Sequence, residues 1–300
     1  MKCFYHGVDF DGRCSAYWVN KCVKVTDGYG KKFYPINYGM SFPLEEIFPD
    51  EEVYIVDYSI MPEEMEQLLQ ITKNIIWIDH HISAIKRYDN FPHTIKGIRM
   101  NGIAACMLTW FWFHGKFDLT TTPLETNMIF APMFTKYIGD YDVWKFEYED
   151  TKAFQMGLQL YDTNSIDTSS IFEALNCSYN KVDLEREIIT KGQDLLTYRD
   201  NWAKEYCEHV GFETDFEGYK CYAMNMAMIS SEHFKSINEE NYDMLIGFSF
   251  NGTIWKYELR STKVDCSKIA MKYGGGGHKG AAGFSSPELL LFKVEGAKDE

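Results

Sequence analysis

The 300-residue sequence lacks an apolar segment long enough to span a bilayer. Its most apolar run, residues 103–113, is about half of the roughly 20 residues that a spanning helix needs. The first residues turn polar too early for a secretory signal, so a cytoplasmic protein without membrane contact is expected. The eight cysteines are scattered and form no C-x-x-C pair, which argues against a structural zinc site and a disulfide scaffold.

An excess of basic residues is also missing, because the formal net charge is −14. Proteins that track long nucleic acids usually carry a basic surface that neutralises phosphates. This composition therefore disfavours a long duplex as partner. Residues 254–281 are the exception, with six Lys or Arg and two acidic residues. An acidic chain with one local basic segment suits a small phosphorylated ligand.

Short apolar runs alternate with helical patterns in the first half of the chain. Residues 3–5, 53–56 and 75–78 are predicted to be buried strands, and Pro62 is predicted to open a helix after the second of them. This alternation predicts an α/β fold with a largely parallel sheet. Ligands of such sheets bind beyond the carboxyl ends of the strands.

The second half begins with one long helical pattern, about residues 182–202, which suits a connector between two lobes. Strand patterns follow on both sides of Asn251-Gly252, a pair typical of a two-residue hairpin turn. A short helix at about residues 267–273 is expected to end at Gly274. We therefore predict domains at residues 1–180 and 209–300, joined by a linker helix at residues 181–208.

Acidic residues and histidines follow the predicted strands at the point where each strand ends. Their positions are His6, Asp9 and Asp11 before Gly12; Asp57; Asp79, His80 and His81; and the pair Asp140 and Asp142. Each motif alone is compatible with helix capping or with exposed polar residues. So many carboxylates at one sheet edge would repel one another unless cations neutralise them.

This mixture of Asp and His without Cys favours a hard to borderline ion, with Mn²⁺ first and Mg²⁺, Fe²⁺ or Co²⁺ as alternatives. Enough ligands are present for two ions that share one bridging aspartate. Two such ions are the usual apparatus for in-line displacement at phosphorus, in which they generate a hydroxide nucleophile and stabilise the developing charge. The sequence thus predicts a two-metal hydrolytic site.

A glycine-rich segment, residues 274–284, contains four consecutive glycines followed by His278 and Lys279. It lacks the spacing of a P-loop or of a dinucleotide-binding fingerprint. Glycine runs let backbone N–H groups approach phosphate oxygens closely. A phosphate-binding segment and a flexible loop are both compatible with this pattern.

These motifs, in this order, resemble those of the DHH phosphoesterase superfamily, and the resemblance covers nearly the whole chain. Its C-terminal part is similar to a DHH-associated domain of the GGGH type. The resemblance implies an α/β N-terminal domain with a mostly parallel sheet, a smaller α/β substrate-binding domain, and an active site in the cleft between them. It also implies residue roles. The implied metal ligands are His6, Asp9, Asp11, Asp57, His80 and Asp140, with Asp57 bridging and Asp142 as the alternative to Asp140. His81 is implied to face the scissile phosphate, and Arg260, Gly275, Gly276, Gly277 and His278 to bind the rest of the substrate.

His6 is the one departure from the family pattern. It lies three residues before Asp9, whereas relatives place a ligating histidine four residues before the first aspartate. Because one residue of slip on a strand turns a side chain to the opposite face, its role as a ligand stays open.

The resemblance implies a hydrolase of phosphoric ester bonds that uses two Mn²⁺ ions and a bridging hydroxide. Its expected substrates are short single-stranded oligonucleotides or cyclic dinucleotides, cleaved to nucleoside monophosphates, and a homodimer is a compatible assembly. The alternatives are an adenosine bisphosphate phosphatase, an inorganic pyrophosphatase or polyphosphatase, and a non-catalytic DHH-like module.

Overall fold

The computed structural model describes residues 1–24, 30–115 and 130–292. They divide into two compact units, Met1–Leu195 and Leu196–Glu300. The division falls inside one long helix, so the domain bounds and the linker drawn from the sequence stay a prediction. Within the described ranges, no helix is both long enough and apolar enough to cross a membrane.

The first unit contains a four-stranded parallel sheet and the helices around it. The elements in chain order are β1 (Lys2–His6), α1 (Phe10–Cys22), β2 (Lys32–Ile36), β3 (Val53–Val56), α2 (Pro62–Ile71), β4 (Ile75–Ile78), α3 (Ile82–Arg87), α4 (Ala105–His114), α5 (Met133–Asp142), α6 (Thr151–Leu158), α7 (Ile171–Cys177) and the first half of α8 (Lys181–Val210). The strand order is β2-β1-β3-β4. The parallel sheet predicted from the sequence is confirmed, and β2 is an additional edge strand.

Both faces of this sheet are buried at β1, β3 and β4, which explains the apolar runs in these strands. On β3, Tyr54 and Val56 belong to one hydrophobic core together with residues of α1, α4 and α5. Val53 and Ile55 point to the other face and pack in a second core with residues of α2. The parallel register carries the carboxyl ends of β1, β3 and β4 to the same edge.

The second unit contains a six-stranded mixed sheet. After α8 come β5 (Gly211–Phe216), β6 (Tyr219–Asn225), β7 (Met244–Phe250), β8 (Trp255–Arg260), α9 (Cys266–Lys272), β9 (Gly276–His278) and β10 (Ala281–Ser286). The strand order is β5-β6-β7-β8-β10-β9, with β6 and β7 parallel and the other neighbours antiparallel. Helix α9 packs into the core of this sheet. The α/β character predicted for both parts of the chain is confirmed.

The β7–β8 hairpin forms where the sequence predicts it, but its turn is longer than two residues. Phe250 pairs with Trp255, which leaves four residues in the connection. The side chain of Asn251 accepts hydrogen bonds from the backbone N–H groups of Thr253 and Ile254, and Gly252 has a positive φ of 96°. An Asx-type turn built on Asn251 therefore replaces the expected two-residue turn.

Candidate active site

The ends of three parallel strands place the predicted acids and histidines together. His6 is the last residue of β1, Asp57 is the first residue after β3, and His80 is the second residue after β4. The backbone N–H of Asp57 donates to the carbonyl of Ile78 on the neighbouring strand, which ties two of these ends to each other. Within this unit, the acids and histidines that follow these strands therefore lie together at one edge of the sheet.

His6 faces the carboxylates, although the sequence left its role open. Its Nδ1 lies 2.7 Å from Asp9 Oδ2 and 3.7 Å from Asp57 Oδ2, while its Nε2 lies 3.3 Å from Asn37 Oδ1. The carboxylates of Asp57 and Asp9 raise the pKa of His6 to about 10. Because β1 ends at His6, the alternation of side chains along the strand does not turn the imidazole away.

Asp9 has two roles at the start of α1. Its Oδ1 accepts a hydrogen bond from the N–H of Gly12, which caps the helix, and its Oδ2 faces His6. Although burial acts in the opposite direction, His6 and the Gly12 N–H hold the pKa of Asp9 below its usual value. Gly12 is required for a close approach, since a Cβ there would lie 1.9 Å from the carbonyl oxygen of His6.

Asp57 is the central residue of the cluster. Its Oδ2 is turned towards His6, and its Oδ1 lies 3.3 Å from His80 Nε2. Burial raises the pKa of Asp57 to about 8, with the negative charges of Asp9 and Asp142 adding to the effect and His6 opposing it. Its backbone has a positive φ of 54°, an uncommon conformation that aspartate tolerates better than most residues.

Asp11, His80 and Asp142 form the other side of the cluster. His80 Nε2 lies 3.6 Å from Asp11 Oδ2 and 3.3 Å from Asp142 Oδ2. Asp11 is fully buried and accepts hydrogen bonds from the N–H groups of Ala105 and Cys106 in the first turn of α4. Burial and neighbouring carboxylates raise the pKa values of Asp11 and Asp142 to about 7.

Asp140, which the sequence analysis preferred over Asp142, points away from this cluster. Its carboxylate accepts hydrogen bonds from the N–H groups of Glu147 and Tyr148 and from the hydroxyl of Thr151. Residues two positions apart on a helix point about 200° apart around its axis, so Asp140 and Asp142 cannot face the same site. The structure thus brings Asp142, the alternative acid of the fourth motif, into the cluster and leaves Asp140 outside it.

Asp79 orients His81. One Asp79 oxygen accepts from the backbone N–H groups of His80 and His81 and from His81 Nδ1, at 2.6 Å, while the other accepts from the hydroxyl of Ser59. Burial lowers the pKa of His81, but Asp79 and the carboxylates of the cluster outweigh burial and raise it to about 9. His81 Nε2 remains directed away from Asp79, and the side chain is 34% exposed.

The side chains of this cluster form three groups with metal-ligand spacing. They are Asp57 with His80 and His81; His6 with Asp9 and Asp57; and Asp11 with His80 and Asp142. Among the described residues, Asp57 Oδ1 and Asp142 Oδ2 are buried without a hydrogen-bond partner, and His6 Nδ1 faces carboxylate oxygens of Asp9 and Asp57. Buried polar atoms are normally paired, so two unpaired carboxylate oxygens directed into one cluster fit a site for cations.

The other predicted contact residues lie in the second unit. Arg260, on β8, donates hydrogen bonds to Glu258 and to the carbonyl of Ile229. Gly276, Gly277 and His278 form the edge strand β9, and the side chain of His278 is exposed. Gly277 has a positive φ of 141°, and a Cβ there would lie 2.6 Å from a backbone oxygen of β10.

Asn37, Tyr38 and Ser59 were missed from the sequence. Asn37 and Tyr38 directly follow β2, whose pattern Lys-Phe-Tyr-Pro-Ile was not recognised as a strand. The ring of Tyr38 lies between the imidazoles of His6 and His81, with centroid distances of 5.4 and 6.1 Å, and its hydroxyl bonds to Ser59. Recognition of β2 would have placed Asn37 and Tyr38 at the edge of the site.

Known proteins resemble this chain in one matching domain model and in one curated sequence. Residues 223–299 match the DHHA1 domain model. An uncharacterized protein of Acanthamoeba polyphaga mimivirus is 22% identical, and the alignment covers 94% of this chain and 66% of that protein. The chain thus spans slightly less than two thirds of that curated relative.

Two solved structures show the same fold. The pGpG-specific phosphodiesterase PggH of Vibrio cholerae aligns with a TM-score of 0.53 and 15% identity over 95% of this chain and 93% of its own. A DHH domain described as a member of the S1p family of ribosomal proteins aligns with a TM-score of 0.56 and 11% identity over 97% of this chain and 82% of its own. The matched DHHA1 domain and the shared fold agree with the resemblance to the DHH phosphoesterase superfamily that the motifs carry.

Proposed function

We propose that this chain is a metal-dependent phosphoesterase that hydrolyses phosphodiester bonds of short oligonucleotides or of linear or cyclic dinucleotides to nucleoside monophosphates. The observation that carries the proposal is the cluster of His6, Asp9, Asp11, Asp57, His80 and Asp142, in which buried polar atoms lack partners. Buried carboxylates whose pKa values are raised to about 7 or 8 favour the approach of positive charge.

The cluster has ligands for two cations. His6, Asp9 and Asp57 would hold one, and Asp11, His80, Asp142 and Asp57 would hold the other. Asp57 suits the shared position because it turns one oxygen towards His6 and the other towards His80. When bound, two divalent cations, with Mn²⁺ as the first candidate and Mg²⁺, Co²⁺ or Fe²⁺ as alternatives, would activate a water nucleophile and stabilise charge on the phosphoryl oxygens.

His81 is the residue that we assign to proton transfer. Asp79 holds its Nδ1 and fixes the orientation of the ring, which leaves Nε2 as the atom that can carry a proton to the substrate. In the metal-free protein, Asp79 and the carboxylates of the cluster raise the pKa of this imidazole to about 9, which favours its protonated form. We assign to Nε2 the donation of a proton to the leaving oxygen of the scissile ester.

The substrate class is inferred from charge, from the second unit and from the fold. A net charge of −14 disfavours long nucleic acids, and the basic residues of the segment 254–281 lie within the region that matches the DHHA1 domain. PggH, which shares the fold, is described as specific for pGpG. We therefore propose that Arg260, Gly275, Gly276, Gly277 and His278 bind the part of the substrate beyond the scissile phosphate.

The test is a panel of purified substrates assayed with Mn²⁺: pGpG, a cyclic dinucleotide, a short single-stranded oligomer, adenosine bisphosphate and pyrophosphate. Release of nucleoside monophosphates from a dinucleotide or oligomer, together with its loss in Asp142→Asn, supports the proposal. Turnover of pyrophosphate or of adenosine bisphosphate alone would assign one of the alternative activities. Absence of both bound metal and turnover would favour a non-catalytic module.

A further inference from the structure

A cavity of about 520 Å³ lies in the first unit. Two segments of the site scaffold line it, residues 102–107 at the start of α4 and residues 136–148 on and after α5. Ala104 lines the cavity, and the next residue, Ala105, donates its N–H to Asp11. Val143 also lines it and directly follows Asp142. Two residues of the lining are therefore direct chain neighbours of residues that hold or form the carboxylate cluster.

The chemistry of the lining is mixed. Ile103, Met107 and Val143 supply apolar surface, and Tyr148 supplies an aromatic ring. The charged residues of the lining are Lys136, Lys145, Asp140 and Glu147, and the ammonium group of Lys145 lies 3.8 Å from Glu147 Oε1. The volume falls within the range of roughly 300–1,000 Å³ that is typical of small-molecule sites. A flat, largely apolar ring system with polar edges, attached to a phosphorylated sugar, matches this lining.

The outer wall of the cavity is held in one conformation. The carboxylate of the buried Asp140 accepts from the backbone N–H groups of Glu147 and Tyr148, and its carbonyl accepts from the N–H of Lys145. Trp144 and Phe146 in the same segment have positive φ angles of 57° and 56°. Bulky residues seldom adopt this conformation, and such strain is concentrated at functional segments.

We propose that this cavity is a nucleoside subsite, which holds one base and sugar of the substrate while its phosphate lies at the cluster. The proposal rests on the proposed function for the identity of the ligand. The base packs against Ile103, Met107 and Tyr148, and the ammonium group of Lys145 faces acceptor atoms of the base or sugar. Asp140 is then a positioning residue for the wall of the subsite.

Direct binding tests the subsite without turnover. Adenosine and guanosine 5′-monophosphate are titrated against ribose 5-phosphate, which has no base, using the full chain with Mn²⁺. We expect at least one nucleotide to bind about tenfold or more tightly than ribose 5-phosphate, since stacking and burial of a base contribute at this scale. Ile103→Trp, which fills the cavity, and Lys145→Ala should each reduce this preference.

Lys191→Ala is the matched control, because Lys191 forms an exposed ion pair with Glu187 on α8 and does not line the cavity. It should leave the preference unchanged. Thermal melting shows whether Ile103→Trp still folds. If Ile103→Trp does not fold, Lys145→Ala, which changes an exposed side chain, tests the proposal on its own. Equal binding of nucleotide and ribose 5-phosphate by the wild type, or an unchanged preference in both cavity variants, would overturn the subsite.

Two diester substrates separate this proposal from the proposed function. The subsite predicts that Ile103→Trp raises KM for pGpG and leaves the turnover of bis(4-nitrophenyl) phosphate, which has no nucleoside, nearly unchanged. An equal loss with both substrates would assign the cavity a purely structural role and contradict the subsite. If the wild type hydrolyses neither diester but prefers nucleotides in the titration, the proposed function fails and the subsite stands.

Discussion

Asp140 and Asp142 occupy the same turn of α5, yet their carboxylates have different surroundings. Asp140 has three hydrogen-bond donors from the protein, whereas Asp142 Oδ2 is buried beside His80 without a partner. A carboxylate that is satisfied by backbone N–H groups organises structure. A carboxylate oxygen that accepts no hydrogen bond from the protein is available to a ligand.

The two residues therefore give a matched pair of substitutions. Asp142→Asn should lower metal affinity and reduce turnover by orders of magnitude while the metal-free protein keeps its stability. Asp140→Asn should destabilise the protein by about 1–3 kcal/mol, because a buried amide cannot accept from all three donors. Metal content, turnover and urea unfolding of both variants provide the measurement. If instead Asp140→Asn strips the metal and Asp142→Asn does not, the assignment in this structure is reversed.

Asp57 should show a trade-off between stability and function. Its carboxyl is buried among other acids, and its pKa is raised to about 8. Asn has nearly the same shape, tolerates a positive φ and carries no charge. Asp57→Asn should therefore leave the metal-free protein as stable as the wild type or more stable at pH above about 7, while it abolishes Mn²⁺-stimulated turnover. Turnover at the wild-type level would contradict the role of Asp57 as the shared ligand.

At the scale of elements, the sequence predicts what depends on local pattern. Buried strands, the helix at Pro62, the long helix α8 and the β7–β8 hairpin are found where apolar periodicity and turn residues indicate them. The same pattern also predicts that the acids and histidines lie at one edge of the sheet, because parallel strands bring their carboxyl ends together. Edge strand β2 was missed since it is short, partly exposed and contains Pro35.

The choice between Asp140 and Asp142 depended on information that a linear pattern does not hold. Both acids follow an apolar run, and the direction of each side chain is fixed by where α5 ends and how the segment after it folds back. The hydrogen bonds from Glu147, Tyr148 and Thr151 to Asp140 are such contacts. The length of the hairpin turn likewise depended on strand register, which the Asn251-Gly252 pair alone does not determine.

The crossing of α6 and α8 gives a prediction at this scale. A Cβ on Gly192 would lie 1.7 Å from the carbonyl oxygen of Ala153, and one on Gly157 would lie 1.9 Å from that of Ile188. Gly to Ala inside a helix ordinarily stabilises by up to about 1 kcal/mol. Gly192→Ala should instead destabilise by about 1–3 kcal/mol, because the two backbones must separate. Urea unfolding of this variant and of Asp194→Ala, an exposed position that should be nearly neutral, measures the difference.

At the scale of the whole molecule, the cluster should set how stability depends on pH when metal is removed. The pKa values of Asp11, Asp57 and Asp142 are raised to about 7 or 8, and those of His6 and His81 to about 9 or 10. Each group has a higher pKa in the folded protein than in the unfolded chain. The stabilising contribution of each group is therefore complete at pH values below its pKa in the unfolded chain. It is lost as the pH rises through the pKa of that group in the folded protein.

The chelated protein should accordingly lose stability steadily from about pH 5 to about pH 9, since the folded state binds more protons than the unfolded chain across this window. Cations that occupy the cluster replace those protons, so saturating Mn²⁺ should raise stability most at the alkaline end. Urea unfolding with EDTA and with Mn²⁺ at several pH values measures both effects, and Asp57→Asn should flatten the slope of the chelated protein. A chelated protein whose stability rises over this range would show that these acids and imidazoles do not share one buried cluster.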